Sequence, residues 1–176
     1  MVSSDLHFRI HKIKLIIFDV DGVLTDGRIV YGDYGDELKY YDVQDGFGMV
    51  LLERAGLKTA IISAKKSRNN TRRAKDLKVS KIYQNAFDKL KVFEKITKQI
   101  KISPEECCYV GDDLIDIPVM SRVGFAVAVQ NARPETKEAA HYITEHSGGR
   151  GAAREVCDLI LKTQGKWTEA TKKYFS

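Results

Sequence analysis

The sequence has little cysteine: three residues in 176, with Cys107 and Cys108 adjacent and Cys157 alone. An odd count without regular spacing excludes a disulfide scaffold and fits a reducing cytosol. The three thiols read as core residues. No apolar run approaches the ~18 residues of a membrane span, and residues 1–12 lack the apolar stretch of a signal peptide. A large excess of charge of one sign is also missing. A net charge of +5 is weak support for nucleic-acid binding but suits anionic small molecules. The four histidines form no ligand pattern. There is no linker, internal repeat or low-complexity tract. The expectation is one cytoplasmic domain over residues 1–176, with an N-terminal extension (1–12) and a partly ordered tail (163–176). No membrane or nucleic-acid partner is expected.

What is present is organised around residues 14–27, Lys-Leu-Ile-Ile-Phe-Asp-Val-Asp-Gly-Val-Leu-Thr-Asp-Gly. A short β-branched run ending in Asp19 and Asp21 reads as a buried strand of a parallel sheet. Open α/β sheets bind ligands at the carboxyl ends of such strands. Two bare carboxylates about 4 Å apart repel by ~4 kcal/mol at an effective dielectric near 20. A hard cation is the natural remedy, and oxygen donors suit Mg²⁺.

Further strands are predicted at 59–62, 81–83, 107–110, 125–129 and 142–144. Helices are predicted at 47–55, 66–77, 88–100, 114–123, 134–140 and 152–162. Asp45 is the expected N-cap of the first of these helices, and Ser103-Pro104-Glu105-Glu106 reads as a capping box over one helical turn. Residues 28–31 and 37–41 flank a Gly/Asp turn and read as a hairpin flap beside the site. Alternating strands and helices predict a doubly wound parallel sheet, Rossmann-like, with no separate cap domain.

Polar residues fall at or just past several of these strands: Asp19 and Asp21, Ser63, and Asp112 with Asp113. Lys89, at a helix start, joins them. Carboxylates, a hydroxyl, an ammonium and a metal together make a phosphoryl site. One carboxylate serves as nucleophile, another as proton donor, and the cations balance the oxygens. Each residue also has a plainer use. A strand-end Asp can cap a helix, Lys89 can be solvated, and most of Lys65, Lys66, Arg68, Arg72, Arg73 and Lys75 read as a solvated helix face.

The chain resembles the haloacid dehalogenase-like phosphohydrolases, whose four motifs it carries in order. Asp19-Val20-Asp21-Gly22-Val23-Leu24-Thr25-Asp26-Gly27 stands at the first, Ser63 at the second, Lys89 at the third and Gly111-Asp112-Asp113-Leu114-Ile115-Asp116 at the fourth. With Pro118-Val119-Met120, Gly148-Gly149-Arg150-Gly151 and Arg154-Glu155-Val156, it is similar to the 3-deoxy-D-manno-octulosonate 8-phosphate (KDO 8-phosphate) phosphatase branch. The resemblance implies that Asp19 attacks phosphorus and that Asp21 protonates the sugar oxygen and then activates water. It implies Mg²⁺ on Asp19, the Asp21 carbonyl and Asp112, supported by Asp113 and Asp116. Ser63 and Lys89 would hold the phosphoryl oxygens. Substrate contacts would come from Asp42, Val43, Gln44, Asp45, Gly46, Lys65, Arg73 and Arg150. The branch implies a homotetramer in which a neighbour's hairpin and glycine-rich tail close the site, and a place in lipopolysaccharide precursor synthesis.

Two departures bear on substrate. Ser63-Ala64-Lys65 stands where the branch often has Thr-Gly-Arg, and Val50 where some relatives carry Arg. Lys65 keeps the charge but loses the bidentate fork of arginine. A related sugar-acid phosphate, such as a nonulosonate 9-phosphate, therefore stays open as substrate. A receiver domain would carry its acceptor Asp on a middle strand, and a non-catalytic subunit would have lost Asp19 or Asp21.

Overall fold

Strand β1 (Leu15–Phe18) is fully buried and sits at the centre of a six-stranded sheet. The computed structural model describes residues 3–175. Around β1 lie β4 (Lys58–Ile62), β5 (Lys81–Tyr83), β6 (Cys107–Gly111), β7 (Phe125–Ala128) and β8 (Tyr142–Ile143), in the order β5-β4-β1-β6-β7-β8. Every pairing within this sheet is parallel. Phe18 pairs with Ile61 on one side and Val110 on the other. One residue further on, Asp19 stands level with the ends of both neighbours. The register therefore gathers Asp19, Ser63 and Asp112 at one edge, although the chain separates them widely.

Helices cover the sheet in two groups. α1 (Ser4–His11), α2 (Val43–Arg54), α7 (Ala152–Thr163) and α8 (Trp167–Thr171) contact one another, and α4 (Lys89–Ile100) contacts α5 (Ile117–Met120). α3 (Arg68–Asp76) and α6 (Pro134–Glu138) complete the set. One continuous apolar cluster runs from Ile10 to Ala170. The N-terminal residues thus form a helix with Ile10 in the core, where the sequence read only an extension. Gln164 Nε2 ties it down, donating to the carbonyls of Ile10 (2.9 Å) and Ile13 (2.8 Å). The far end of the chain is likewise packed, with Tyr174 Oη accepting from Arg54 Nη1 at 2.6 Å and its ring edge-on to Phe47.

The hairpin forms only a two-residue ladder, β2 (Val30–Tyr31) against β3 (Glu37–Leu38). The predicted helix over 114–123 is instead a 3₁₀ turn, Leu114–Asp116, running into the four-residue α5. Pro118 lacks an N–H, and the Asp116 carboxylate bonds back to the N–H groups of Asp112 and Asp113. α3 starts at Arg68 rather than Lys66, because Ser67 caps it. Among the described residues, no helix is long and apolar enough to cross a membrane.

Candidate active site

Asp19 is buried, and its Oδ1 lies 2.9 Å from Lys89 Nζ. Lys89, itself buried at the start of α4, reaches Asp116 Oδ1 at 2.6 Å. Asp116 is closed off from solvent and accepts four hydrogen bonds. Lys89 Nζ and Tyr109 Oη donate to Oδ1, each at 2.6 Å, and the N–H groups of Asp112 (2.9 Å) and Asp113 (3.2 Å) donate to Oδ2. Asp116 is thereby fully used in shaping the loop after β6. Tyr109, which the sequence reading passed over as a strand residue, is part of this lock. Burial first, and then the nearby Asp116 and Asp19 charges, hold its phenol protonated and so a donor.

One carboxylate oxygen each from Asp19, Asp112 and Asp116 falls within 4.8 Å of the others. Burial pushes the Asp19 acid up from its ordinary range, and the Asp116 charge adds to this while Lys89 opposes it. Asp112 is pushed up the same way by burial and then by Asp19 and Asp116. Its Oδ1 is buried without a hydrogen-bond partner. An orphaned buried carboxylate oxygen beside a second carboxylate is the donor set a hard divalent cation takes. With Asp116 occupied, the side chains free to meet a cation are those of Asp19 and Asp112. Asp113 is exposed and its Oδ1 caps its own turn through Leu114 N at 2.7 Å.

The backbone makes room for this. Gly22 has φ +101°, and a Cβ there would lie 2.0 Å from Asp112 Oδ2. Gly22→Ala is therefore expected to displace Asp112. We predict at least about tenfold weaker Mg²⁺ binding, the scale seen when a supporting contact of a metal site is removed, together with backbone strain. Calorimetric Mg²⁺ titration of the variant checks this.

Ser63, at the end of β4, is fully buried. Its hydroxyl donates to the Lys65 carbonyl at 2.9 Å and lies 3.4 Å from Asn70 Nδ2. The extended segment 37–41, which begins as β3, alternates, with Glu37, Lys39 and Tyr41 turned inward and Leu38 and Tyr40 outward, as a period of two requires. Lys39 Nζ contacts Asp21 Oδ1 and lies 3.4 Å from Glu37 Oε1. Glu37 Oε2 is 2.5 Å from Lys65 Nζ. Tyr41 Oη donates to Asn70 Oδ1 at 2.8 Å. Lys39, Glu37 and Asn70 had no role in the sequence reading; the alternation in 37–41 was the signal available.

The remaining candidates separate. Asp42, not Asp45, is the N-cap of α2, accepting from the N–H groups of Gln44 (2.6 Å) and Asp45 (3.1 Å). Asp45 is buried and accepts from the N–H groups of Gly151 (3.3 Å) and Arg154 (2.8 Å), so it caps the incoming α7 and does not face a ligand. Gly46 is buried, close to Arg73 and Leu77, and Val43 points to solvent. Arg73 Nη2 donates to the Asp42 carbonyl at 2.7 Å. Arg150 is exposed. With Asp26, Arg28, Tyr40, Tyr41, Asp42 and Gly149 it lines a cleft of about 280 Å³. Gly148 and Gly149 hold that loop against the turn after β1, where Gly149 N donates to the Val23 carbonyl at 2.9 Å.

Residues 36–156 match the model of the haloacid dehalogenase-like hydrolases. The chain is 45% identical over 169 residues to a 3-deoxy-D-manno-octulosonate 8-phosphate phosphatase of Escherichia coli (strain B / BL21-DE3), an alignment spanning 96% of this chain and 90% of that one. The crystal structure of the phosphatase of that name from Yersinia pestis superposes with a TM-score of 0.92 at 44% identity, covering 94% of this chain and 89% of the other. The one from Moraxella catarrhalis, solved in complex with a magnesium ion, a phosphate ion and a KDO molecule, superposes at 0.95 with 40% identity, covering 99% and 100%. The chain belongs to the haloacid dehalogenase-like hydrolases, in the branch of the 3-deoxy-D-manno-octulosonate 8-phosphate phosphatases.

Proposed function

We propose that this chain is a Mg²⁺-dependent phosphatase that hydrolyses KDO 8-phosphate to the free sugar acid and inorganic phosphate. The observation that carries the chemistry is the buried Asp19 carboxylate at the edge of the sheet, with Lys89 on one side and the unpartnered Asp112 oxygen nearby. Substrate identity is supported by the 45% identity to a KDO 8-phosphate phosphatase over nearly the whole chain.

Asp19 attacks phosphorus, and the bond from phosphorus to the sugar oxygen breaks as Asp21 gives that oxygen a proton. Asp21 then takes a proton from the water that attacks the aspartyl-phosphate, and inorganic phosphate leaves with Asp19 restored. Ser63 and Lys89 hold the phosphoryl oxygens. Mg²⁺, held by Asp19, Asp112 and the Asp21 carbonyl, supplies charge neutralisation for those oxygens when bound. Asp116, through its bonds to Asp112 N and Asp113 N, fixes the loop that presents Asp112. Arg150, Gln44 and Lys65 are the candidates for the sugar carboxylate and hydroxyls, with Arg73 holding the Asp42 loop beneath them. The proposed assembly is a homotetramer in the cytoplasm, checked by light scattering.

Phosphate release from KDO 8-phosphate, a nonulosonate 9-phosphate and simple sugar phosphates, with and without Mg²⁺, tests this reading. Turnover of KDO 8-phosphate at least about tenfold above the others, in kcat/KM, is the expected result. Preference for the nine-carbon ester would keep the chemistry and change the substrate, the alternative that Lys65 and Val50 leave open. No release from any ester overturns the proposal.

The raised acids predict how the cation binds. Asp19 and Asp112 hold their protons to a higher pH than ordinary carboxylates in the cation-free protein, and a cation must displace them. Apparent Mg²⁺ affinity is expected to fall as pH drops, by about tenfold or more from pH ~8 to ~6, with protons released on binding. Calorimetry in buffers of different ionisation enthalpy measures both.

A further inference from the structure

We propose that Lys39 is a positioning residue for Asp21, set in place by the hairpin, so that the acid–base carboxylate is aimed at the leaving oxygen only while residues 37–41 lie against α3. The inference rests on the phosphatase reading and adds to it a residue from outside the four motifs.

The geometry is specific. The Lys39 side chain is fully buried, unusual for a lysine outside an ion pair, and its ammonium sits between Asp21 and Glu37. Neither carboxylate is itself closed off: the side chains are 27% and 16% exposed. Three inward residues of one extended segment each reach a different part of the site. Glu37 pairs with Lys65 after β4, Lys39 with Asp21 after β1, and Tyr41 bonds Asn70, which lies against Ser63. Asn69 Nδ2 adds a fourth tie, donating to the Glu37 carbonyl at 2.6 Å. The segment therefore has one placement in which all four ties are made, and in that placement Lys39 fixes one oxygen of Asp21. The other oxygen is left to exchange a proton. A carboxylate free to rotate would spend part of its time turned from the leaving group, and general acid catalysis depends on that alignment.

A merely structural lysine and a positioning lysine differ in one readout. Assistance to the leaving group matters most when the departing oxygen is basic and least when it leaves unaided. The test is kcat/KM for phenyl, 4-nitrophenyl and 2,4-dinitrophenyl phosphates, none of which carries the sugar, with the native protein, Lys39→Met and Glu37→Gln. kcat/KM covers only the steps up to departure of the leaving group. The expected result for Lys39→Met is a loss of about ten- to a hundredfold on phenyl phosphate and under about threefold on the dinitrophenyl ester. Glu37→Gln, which keeps the ammonium but weakens its placement, shifts the dependence on leaving group the same way by a smaller amount. Equal losses across the series in both variants would mean that Lys39 binds the phosphoryl group or holds the fold, and would overturn the proposal. An active native protein with an unchanged series in Lys39→Met overturns the Lys39 assignment alone. A native protein that hydrolyses none of the esters overturns the phosphatase reading, and the assignment with it.

Discussion

Asp19→Asn is expected to lower phosphate release from KDO 8-phosphate by at least about 10⁴-fold, the scale on which removal of a covalent nucleophile acts. The cation-free protein should be no less stable for the change. The first half follows from chemistry, since the side-chain amide of asparagine does not form the acyl phosphate that a carboxylate forms. The second follows from charge. Asp19, Asp112 and Asp116 crowd one buried corner, and Lys89 is the ammonium among them. Breaking a buried ion pair usually destabilises a protein by about 3–5 kcal/mol, because it strands the partner. Here the partner is not stranded, since Lys89 keeps Asp116 at 2.6 Å. What is removed is a carboxylate whose ionisation the folded protein already resists, since burial and the Asp116 charge push its acid up by more than Lys89 pulls it down. Thermal melts without Mg²⁺ should place the variant at or above the native protein, and the rise in melting temperature that Mg²⁺ gives the native protein should shrink. A clear drop in cation-free stability would mean that the fold needs this carboxylate. Residual turnover above about 1% would remove Asp19 as nucleophile.

The same corner shows why some of the site could be read from sequence and some could not. Asp19, Ser63 and Asp112 follow buried apolar strands, and parallel pairing brings the ends of neighbouring strands to one edge. Their convergence needed only strand order and register. Lys89 precedes no such cue; it reaches the site because α4 starts beside it, a matter of tertiary placement. Asp45 misled for a related reason. Its type and position suit a cap of α2, but Asp42 takes that place. Asp45 instead serves Gly151 and Arg154, more than a hundred residues away. Capping partners within one turn are local and legible, whereas a carboxylate buried under another helix is not. The hairpin was legible as a flap, yet its contribution of Lys39 was not, because a lysine in an exposed-looking polar segment is normally solvated. The 3₁₀ turn at 114–116 could have been anticipated from Pro118, whose missing N–H keeps a regular helix from extending through it.

Asp116 is where the second large effect is expected. Asp116→Asn should destabilise the protein by about 2–5 kcal/mol, lowering the melting temperature by roughly 5–15 °C for a chain of this size. It should also weaken Mg²⁺ binding by about ten- to a hundredfold. The substitution is nearly isosteric, so packing does not decide the outcome; hydrogen-bond polarity does. All four partners of Asp116 are donors: Lys89 Nζ, Tyr109 Oη, Asp112 N and Asp113 N. An asparagine has one acceptor oxygen, and its amide nitrogen must face one of the two donor pairs in either rotamer. Facing Oδ1's partners, it sets its own N–H groups against the donors Lys89 Nζ and Tyr109 Oη and takes the acceptor from both. Facing Oδ2's partners, it pushes against two backbone N–H groups and shifts the loop that carries Asp112. Each lost bond in a closed site costs about 1–3 kcal/mol. Tyr109→Phe removes a single donor and leaves Asp116 with three, so it should cost only about 1 kcal/mol and spare the cation affinity. The pair of variants separates two accounts of this residue. If Asp116→Asn were as mild as Tyr109→Phe in both melting temperature and Mg²⁺ titration, Asp116 would be a dispensable neighbour of the loop. A large loss in both for Asp116→Asn alone means that this closed carboxylate, which need not touch the cation itself, is what holds Asp112 and Lys89 in place.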